Sequence, residues 1–277
     1  WRHAPRPRMR LMKLDSLMEP ALPQQKFGTE GMTPMSRPGA MTRFFMGVVR
    51  WAESLNLKYA IHGNPPVYDT AVFPWAKAIE NAFPDIRAEL EKVLQRKSEL
   101  PNFQDISSDV QTITNDAGWK TFFLVGFGTP SARNIALCPK TWAALQHIPG
   151  LKTAMFSIFE PGKHLPAHRG PYNGVLRLHL GLIVPEAERD QIAIRVDKQI
   201  CHWDEGKVLI FDDAYEHEAW NHSNKTRVVL FVDFVKPTRF PASFINHLLM
   251  NLAIFTPFIQ EGMEKHKAWE EAFHKQK

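Results

Sequence analysis

The hydrophobic and polar positions change period twice along the chain. Phe45, Val48, Val49 and Ala52 recur at helical spacing, which predicts a short amphipathic helix over Phe44–Leu57. Ala71–Gln95 carries a stronger helical pattern. Phe73, Pro74 and Trp75 open it, and Ile79, Phe83, Ile86, Leu90 and Val93 fall on one face. Pro84 should kink or split this helix, because it has no N–H to donate and crowds the preceding turn. From Lys120 onward the apolar residues alternate or run continuously. Strands are expected at Thr121–Val125, Thr153–Phe159, Val175–Val184, Gln191–Val196, Val208–Phe211 and Val228–Val235. Turns such as Glu160-Pro161-Gly162 and Asp204-Glu205-Gly206 separate them, with one helical interruption at Lys140–Gln146. Short strands in succession argue for an antiparallel barrel or double-sheet sandwich rather than a parallel sheet. After Pro237 the pattern is helical again, and Phe244–Ile259 is almost wholly apolar.

This pattern divides the chain into an arm over 1–40, a helical flank over 41–100, a β domain over 101–237 and a helical segment over 238–277. The arm adds charge to the picture: Arg2, Arg6, Arg8, Arg10 and Lys13 precede the first acid, Asp15. Such an arm suits anionic lipid or simple solvation. No zinc knuckle or basic–aromatic repeat follows, so a nucleic-acid partner is not expected. Two cysteines, Cys138 and Cys201, exclude a disulfide scaffold and a CxxC zinc site. No apolar run reaches the roughly 20 residues that span a bilayer, and no secretory leader pattern follows the first arginines. The chain opens on Trp1 rather than Met, which leaves room for upstream sequence that could hold an anchor.

The candidate chemistry lies in the β region. His168, in Pro166-Ala167-His168-Arg169-Gly170-Pro171, is read as a loop residue between two strands. His217, 49 positions on, stands at the edge of another. In a small β-sandwich that separation can bring the chain back to the same mouth, where two imidazoles suit Fe(II) or Zn(II). Taken singly, either is equally well an exposed or satisfied histidine. Arg227 sits inside the apolar strand Thr226–Val232, and Arg177 and His179 share one face of theirs, by the period of two. A guanidinium in a β-core needs an anion. Two of them beside a metal fit a small dicarboxylate such as 2-oxoglutarate. The alternative is that each arginine pairs with an internal acid such as Asp233 or Asp213.

Linked segments carry a resemblance. His168-Arg169-Gly170-Pro171-Tyr172-Asn173 is followed by Leu176-Arg177-Leu178-His179-Leu180-Gly181-Leu182. Phe211-Asp212-Asp213 is followed by Glu216-His217-Glu218, Trp220, Arg227 and the strand to Asp233. From about Phe73 to Pro237 the chain resembles the aspartyl/asparaginyl β-hydroxylase family. The resemblance implies a double-stranded β-helix, a jelly roll of cupin type with flanking helices, that uses Fe(II), 2-oxoglutarate and O2. It implies His168 and His217 as iron ligands. Arg227 and Ser157 would grip the distal carboxylate of 2-oxoglutarate, with Arg177 and His179 near its metal-binding end. Gly170 stands where many oxygenases of this fold carry a third, carboxylate ligand, and the family's iron is held by two histidines. No acid–base pair is required. Asp212, Asp213, Glu216 and Glu218 are expected either to orient the iron histidines or to be solvated.

The substrate follows less directly. In animal members an arginine two positions before the cofactor arginine reads the substrate carboxylate, and here that position is Val175. Bacterial relatives hydroxylate acyl chains of lipid A and ornithine lipids. The basic arm, and Phe244–Ile259 flanked by Lys236, Arg239, Lys265 and Lys267, lean toward such a substrate and toward peripheral contact with the inner face of a bacterial cytoplasmic membrane. The alternatives are β-hydroxylation of Asp or Asn in a peptide, a protein or a free amino acid, and, in another class, a non-catalytic module that binds metal and 2-oxoglutarate.

Overall fold

The computed structural model describes residues 40–275 apart from 109, 127 and 187–189. The basic residues of the 1–40 arm therefore lie outside the described residues. Helix α1 (Ala40–Tyr59) is followed by the short strand β1 (Val67–Tyr68), then α2 (Ala76–Asn81), α3 (Phe83–Leu94) and α4 (Phe103–Ile106). The helix expected over Ala71–Gln95, which Pro84 was to kink or split, is split into two helices. Pro84 occupies the first turn of α3, where its missing N–H costs nothing, so the break falls just before it. Strands β2 (Trp119–Gly126) and β3 (Thr129–Pro130) lead to α5 (Ala132–Leu137) and α6 (Pro139–Leu145). The buried carboxylate of Glu89 in α3 accepts from the N–H groups of Lys140 and Thr141, which caps α6.

The rest of the barrel is β4 (Leu151–Phe159), β5 (Lys163–His168), β6 (Val175–Ile183), β7 (Ile192–Val196), β8 (Gln199–Cys201), β9 (Val208–Phe211), β10 (His217–Asn221) and β11 (Arg227–Val235). Seven strands form one sheet in the order β1-β9-β6-β11-β4-β2-β3, and four form a second, β5-β10-β7-β8, with antiparallel pairing between the strands. The expected jelly roll of mainly β type with flanking helices is what the chain adopts. Two corrections follow. Residues 166–168, the start of the segment read as a loop, belong to a strand at the edge of the small sheet, a position that tolerates Pro166. The large sheet also borrows its edge strand β1 from the 41–100 flank, pairing Val67 with Phe211 and Tyr68 with Ile210.

Strand alternation creates two cores. Leu176, Leu178, Leu180 and Leu182 of β6 and Val228, Leu230, Val232 and Phe234 of β11 face Ile79, Ile86, Leu90 and Val93 of the helices. The opposite face of the same sheet meets the small sheet through Met155, Phe159, Val229 and Phe231 against Leu165, Ile194, Val196 and Ala219. Gly162 takes φ +74°, the left-handed conformation that the β4–β5 turn requires.

The apolar segment Phe244–Ile259 is not one helix. It is α7 (Ala242–Ala253) and the start of α8 (Pro257–Lys275), broken where Pro257 opens the second. Helix α8 packs Trp269 and Phe273 onto the first core. Helix α7 instead contacts α1. Both are pinned to the loop after His168. Asn56 of α1 donates to Tyr172 and Asn173, and Asn246 of α7 donates to the Gly174 carbonyl. No described helix is long and apolar enough to cross a membrane.

Candidate active site

His168 ends β5 and His217 begins β10, and the two are cross-strand partners. Their ring centroids are 4.2 Å apart. His168 Nδ1 lies 2.8 Å from the Pro166 carbonyl and His217 Nδ1 2.9 Å from that of Tyr215. A carbonyl only accepts, so both Nδ1 atoms carry the proton and both Nε2 atoms keep a free lone pair. Burial, then the charge of Arg177, pushes His217 down to about 3, and burial lowers His168 as well. Two neutral imidazoles with matched free nitrogens are a ligand pair for a divalent transition metal. His217 is buried, which a strand-edge position did not foretell, whereas His168 is half-buried.

The acids near these histidines do not orient them. Asp212 pairs with buried Lys236 at 2.7 Å, and Glu218 and Glu216 pair with Arg195 at 2.6 and 3.2 Å. Asp213 is buried and makes a 2.9 Å ion pair with Arg177. Burial pushes its carboxyl upward against the pull of that arginine. A Cβ at Gly170 would collide with the Asp213 carboxylate, so glycine two positions after His168 makes room for an acid from another strand end. Among the described residues no three His, Cys, Asp or Glu side chains converge.

Deeper in the barrel lies Arg227, 1% exposed. Its guanidinium is sandwiched between Phe159 at 3.9 Å and Trp203 at 4.5 Å. Its Nε and Nη1 atoms are buried with no hydrogen-bond partner among the described residues. Burial pushes it down to about 9, so it remains cationic at neutral pH. Ring faces compensate a cation only in part, and an unpaired buried charge is costly. This is a receptor for an anion. The aromatic frame ties it to two further groups. Trp119 packs on Phe159 and donates to Ser157 Oγ at 3.0 Å, which leaves the Ser157 proton free to donate. Trp203 donates to His179 Nδ1 at 3.2 Å, so His179 Nε2 carries a proton, and that buried atom has no partner. Thr121, opposite Ser157 in register, has an unpartnered buried hydroxyl as well. Two orphaned donors, Thr121 and His179, with the free Ser157 proton and an orphaned guanidinium, fit a carboxylate-bearing cosubstrate.

The structure thus brings His168 and His217 together, and joins Ser157, His179 and Arg227 through one aromatic frame. Arg177 differs. It donates to Asp233 at 2.8 Å, pairs with Asp213 and covers the Phe231 ring, so it has the internal acid partners named above as the alternative. Trp119, Thr121, Phe159 and Trp203 were missed. The only sequence signal for them was the inward phase of β2 and β4, and Trp203 lies outside any strand.

Arg177, Asp213 and Asp233 also line an apolar cleft of about 630 Å³. Phe45, Met46 and Val49 of α1 and Leu249, Leu252 and Ala253 of α7 line its length.

A jelly roll with paired neutral imidazoles at its mouth and an unpaired guanidinium in its interior offers a candidate site for a metal and an anion. The family model for aspartyl/asparaginyl β-hydroxylases matches residues 80–237. An ornithine lipid ester-linked acyl 2-hydroxylase of Rhizobium tropici is 74% identical over 252 residues, which are 91% of this chain and 89% of that protein. The human aspartyl/asparaginyl β-hydroxylase is 35% identical over 136 residues, 47% of this chain and 18% of that protein. Among solved structures, an oxidoreductase of the 2OG-Fe(II) oxygenase family from Burkholderia pseudomallei superposes with a TM-score of 0.38 at 11% identity, over 54% of this chain and 78% of that one. The chain belongs to the aspartyl/asparaginyl β-hydroxylase family, and it is a hydroxylase.

Proposed function

We propose that this hydroxylase depends on Fe(II) and 2-oxoglutarate and places a hydroxyl on an unactivated carbon of a lipid acyl chain. The observation that carries the substrate class is the apolar cleft of about 630 Å³, whose lining includes Pro171 and Tyr172 of the loop after His168. Its size suits a small-molecule site, and its walls offer an alkyl chain contact along most of their length. Arg177, the cation of the lining that lies in the barrel, is already matched by two carboxylates and offers a substrate carboxylate no free partner. The 74% identical acyl hydroxylase supports the same class.

In this reading His168 and His217 would hold the iron through Nε2, their tautomers fixed by the main chain. Arg227 would pair with the distal carboxylate of 2-oxoglutarate while Ser157 donates its hydroxyl proton to it. His179 Nε2–H would donate toward the other end. Once bound, iron and 2-oxoglutarate supply the oxidising power: O2 is consumed, 2-oxoglutarate leaves as succinate and CO2, and a substrate C–H becomes C–OH. Arg177, Asp213 and Asp233 line the cleft already paired with one another and would take no proton from the substrate.

The test is succinate release by the protein with Fe(II), 2-oxoglutarate and O2, with and without detergent-dispersed ornithine lipid. The expected result is lipid-stimulated succinate together with one added oxygen on the acyl chain by mass spectrometry. Stimulation by an Asp- or Asn-containing peptide and not by lipid would overturn the substrate class. No release with any of them would favour a binding module.

A further inference from the structure

The helices that wall the cleft also present an apolar surface. Phe244, Leu248, Leu252 and Phe255 follow one another by four, four and three residues along and just beyond α7, which puts them on one stripe. They are 65, 48, 52 and 72% exposed. Helix α7 contains no acidic or basic residue apart from His247. On α1, Phe45, Met46, Trp51 and Leu57 are exposed as well. The charged residues of α1 are Arg43, Arg50, Lys58 and a single acid, Glu53. Arg239 and the highly exposed Phe240 stand just before α7. Among the described residues none of these four basic side chains pairs with a carboxylate.

We infer that the α1/α7 pair is a docking face for an anionic lipid bilayer, and that the acyl chain enters the cleft sideways from that bilayer. This rests on the reading of the substrate as a lipid acyl chain. Two features select a bilayer over another protein surface. The cations free of acids match phosphate head groups, and the bulky apolar side chains beside them have the composition of helices that lie in a membrane interface. Phe45, Met46 and Leu252 are both exposed and part of the cleft lining, so the apolar surface continues into the cleft through these three side chains. An alkyl chain could therefore move from bilayer to cleft without crossing water. The Asn56 and Asn246 hydrogen bonds then fix the docked helices to the loop after His168, which orients the histidine pair relative to the membrane.

The experiment is co-sedimentation of the full chain with vesicles of phosphatidylcholine alone or mixed with phosphatidylglycerol, in low and high salt. It is paired with light scattering and with succinate release on vesicle-embedded and detergent-dispersed ornithine lipid. The variant is the triple substitution Phe244→Ser, Leu248→Ser, Phe255→Ser, whose positions are exposed and outside the cleft lining. The wild type should sediment with phosphatidylglycerol vesicles. Salt at about 1 M, where charges are screened beyond about 3 Å, should weaken binding without abolishing it. The triple variant should lose about tenfold or more in vesicle affinity and in turnover on embedded lipid, because the interfacial contact is mostly apolar area. Its turnover on dispersed lipid should be unchanged. Absence of vesicle binding, equal binding by the variant, or a dimer that the variant dissolves would overturn the docking face. If dispersed lipid still drives succinate release in that case, the substrate reading survives it. Vesicle binding lost in the variant supports the docking face even if no acyl lipid is turned over, and that second result would remove the substrate reading alone.

Discussion

The two faces of the large sheet are made by the same strands and have opposite characters. On the helix side, β4, β6 and β11 present Phe156, Ile158, Leu178, Leu180, Leu230 and Val232, all with no measurable exposure, against α2, α3 and α6. On the barrel side, at the alternate positions of the same strands, they present Ser157, His179 and Arg227, with donor atoms of His179 and Arg227 left without a partner. A protein gains stability from the first arrangement and loses some to the second. The pairing of Arg177 sharpens the contrast. It lies on the same barrel face, nearer the mouth, and two carboxylates neutralise it. Charges in this fold are therefore matched where no ligand is needed, and the exception at Arg227 marks where a ligand belongs.

The comparison can be broken at several points. The largest effect is expected at the mouth. His168→Ala should lower turnover by more than about 100-fold, beyond what loss of a mere supporting partner of a metal ligand costs. Its stability should stay near that of the wild type, because the side chain is half-buried. His217→Ala should lose activity equally, but buried His217 also carries packing, so its melting temperature should fall as well. Turnover with either variant at the wild-type rate would remove the metal assignment. Next comes the helix-facing side. Phe156→Ala should destabilise by about 3–5 kcal/mol in a denaturant titration, with the affinity of the folded fraction for 2-oxoglutarate unchanged. A loss of that affinity would mean the faces are not separable.

The smallest effect concerns Lys163, whose buried ammonium at the start of β5 donates to Asp116 at 2.7 Å. Burial works to raise the Asp116 carboxyl, but the Lys163 ammonium and the Gly118 N–H outweigh it and hold it below the ordinary range. A depressed carboxylate stabilises fully above its unfolded value, near pH 4, and the gain is lost as pH falls through the folded value. Asp116→Asn should therefore cost on the order of 1 kcal/mol at neutral pH, discounted because the carboxylate is more than half exposed. The difference from wild type should vanish in urea titrations at low pH. A difference that persists there would assign the effect to packing.

Much of this division was legible in the chain. The large-sheet strands announce themselves because Leu176–Leu182 and Val228–Val235 are long and β-rich, and Arg177, His179 and Arg227 interrupt them at the inward phase. The small-sheet strands did not. Lys163–His168 carries a proline and two histidines on an exposed edge, and His217–Asn221 alternates buried with half-exposed positions. Their strand character comes from pairing with each other and with β7, which no local period reveals. Sequence could propose the two histidines but not that main-chain carbonyls, rather than nearby acids, set their tautomers. It could propose an anion for both arginines but not that only Arg177 has acids within reach. Helix α7 was visible as apolar, but its exposure depends on α8 turning away at Pro257 to pack on the barrel.

The most direct test of the central claim is thermal unfolding of wild type and Arg227→Met, each with and without 2-oxoglutarate in the presence of Fe(II) under anaerobic conditions. Without ligand, the variant should be as stable as the wild type or more so, because an unpaired buried charge has been replaced by a side chain of similar length. With 2-oxoglutarate at about 100 times its dissociation constant, the wild type should gain about 2.7 kcal/mol and melt at a correspondingly higher temperature. The variant should gain little or nothing. If Arg227→Met is strongly destabilised without ligand, or keeps the full shift with it, the guanidinium is not held in reserve for the cosubstrate and the account fails.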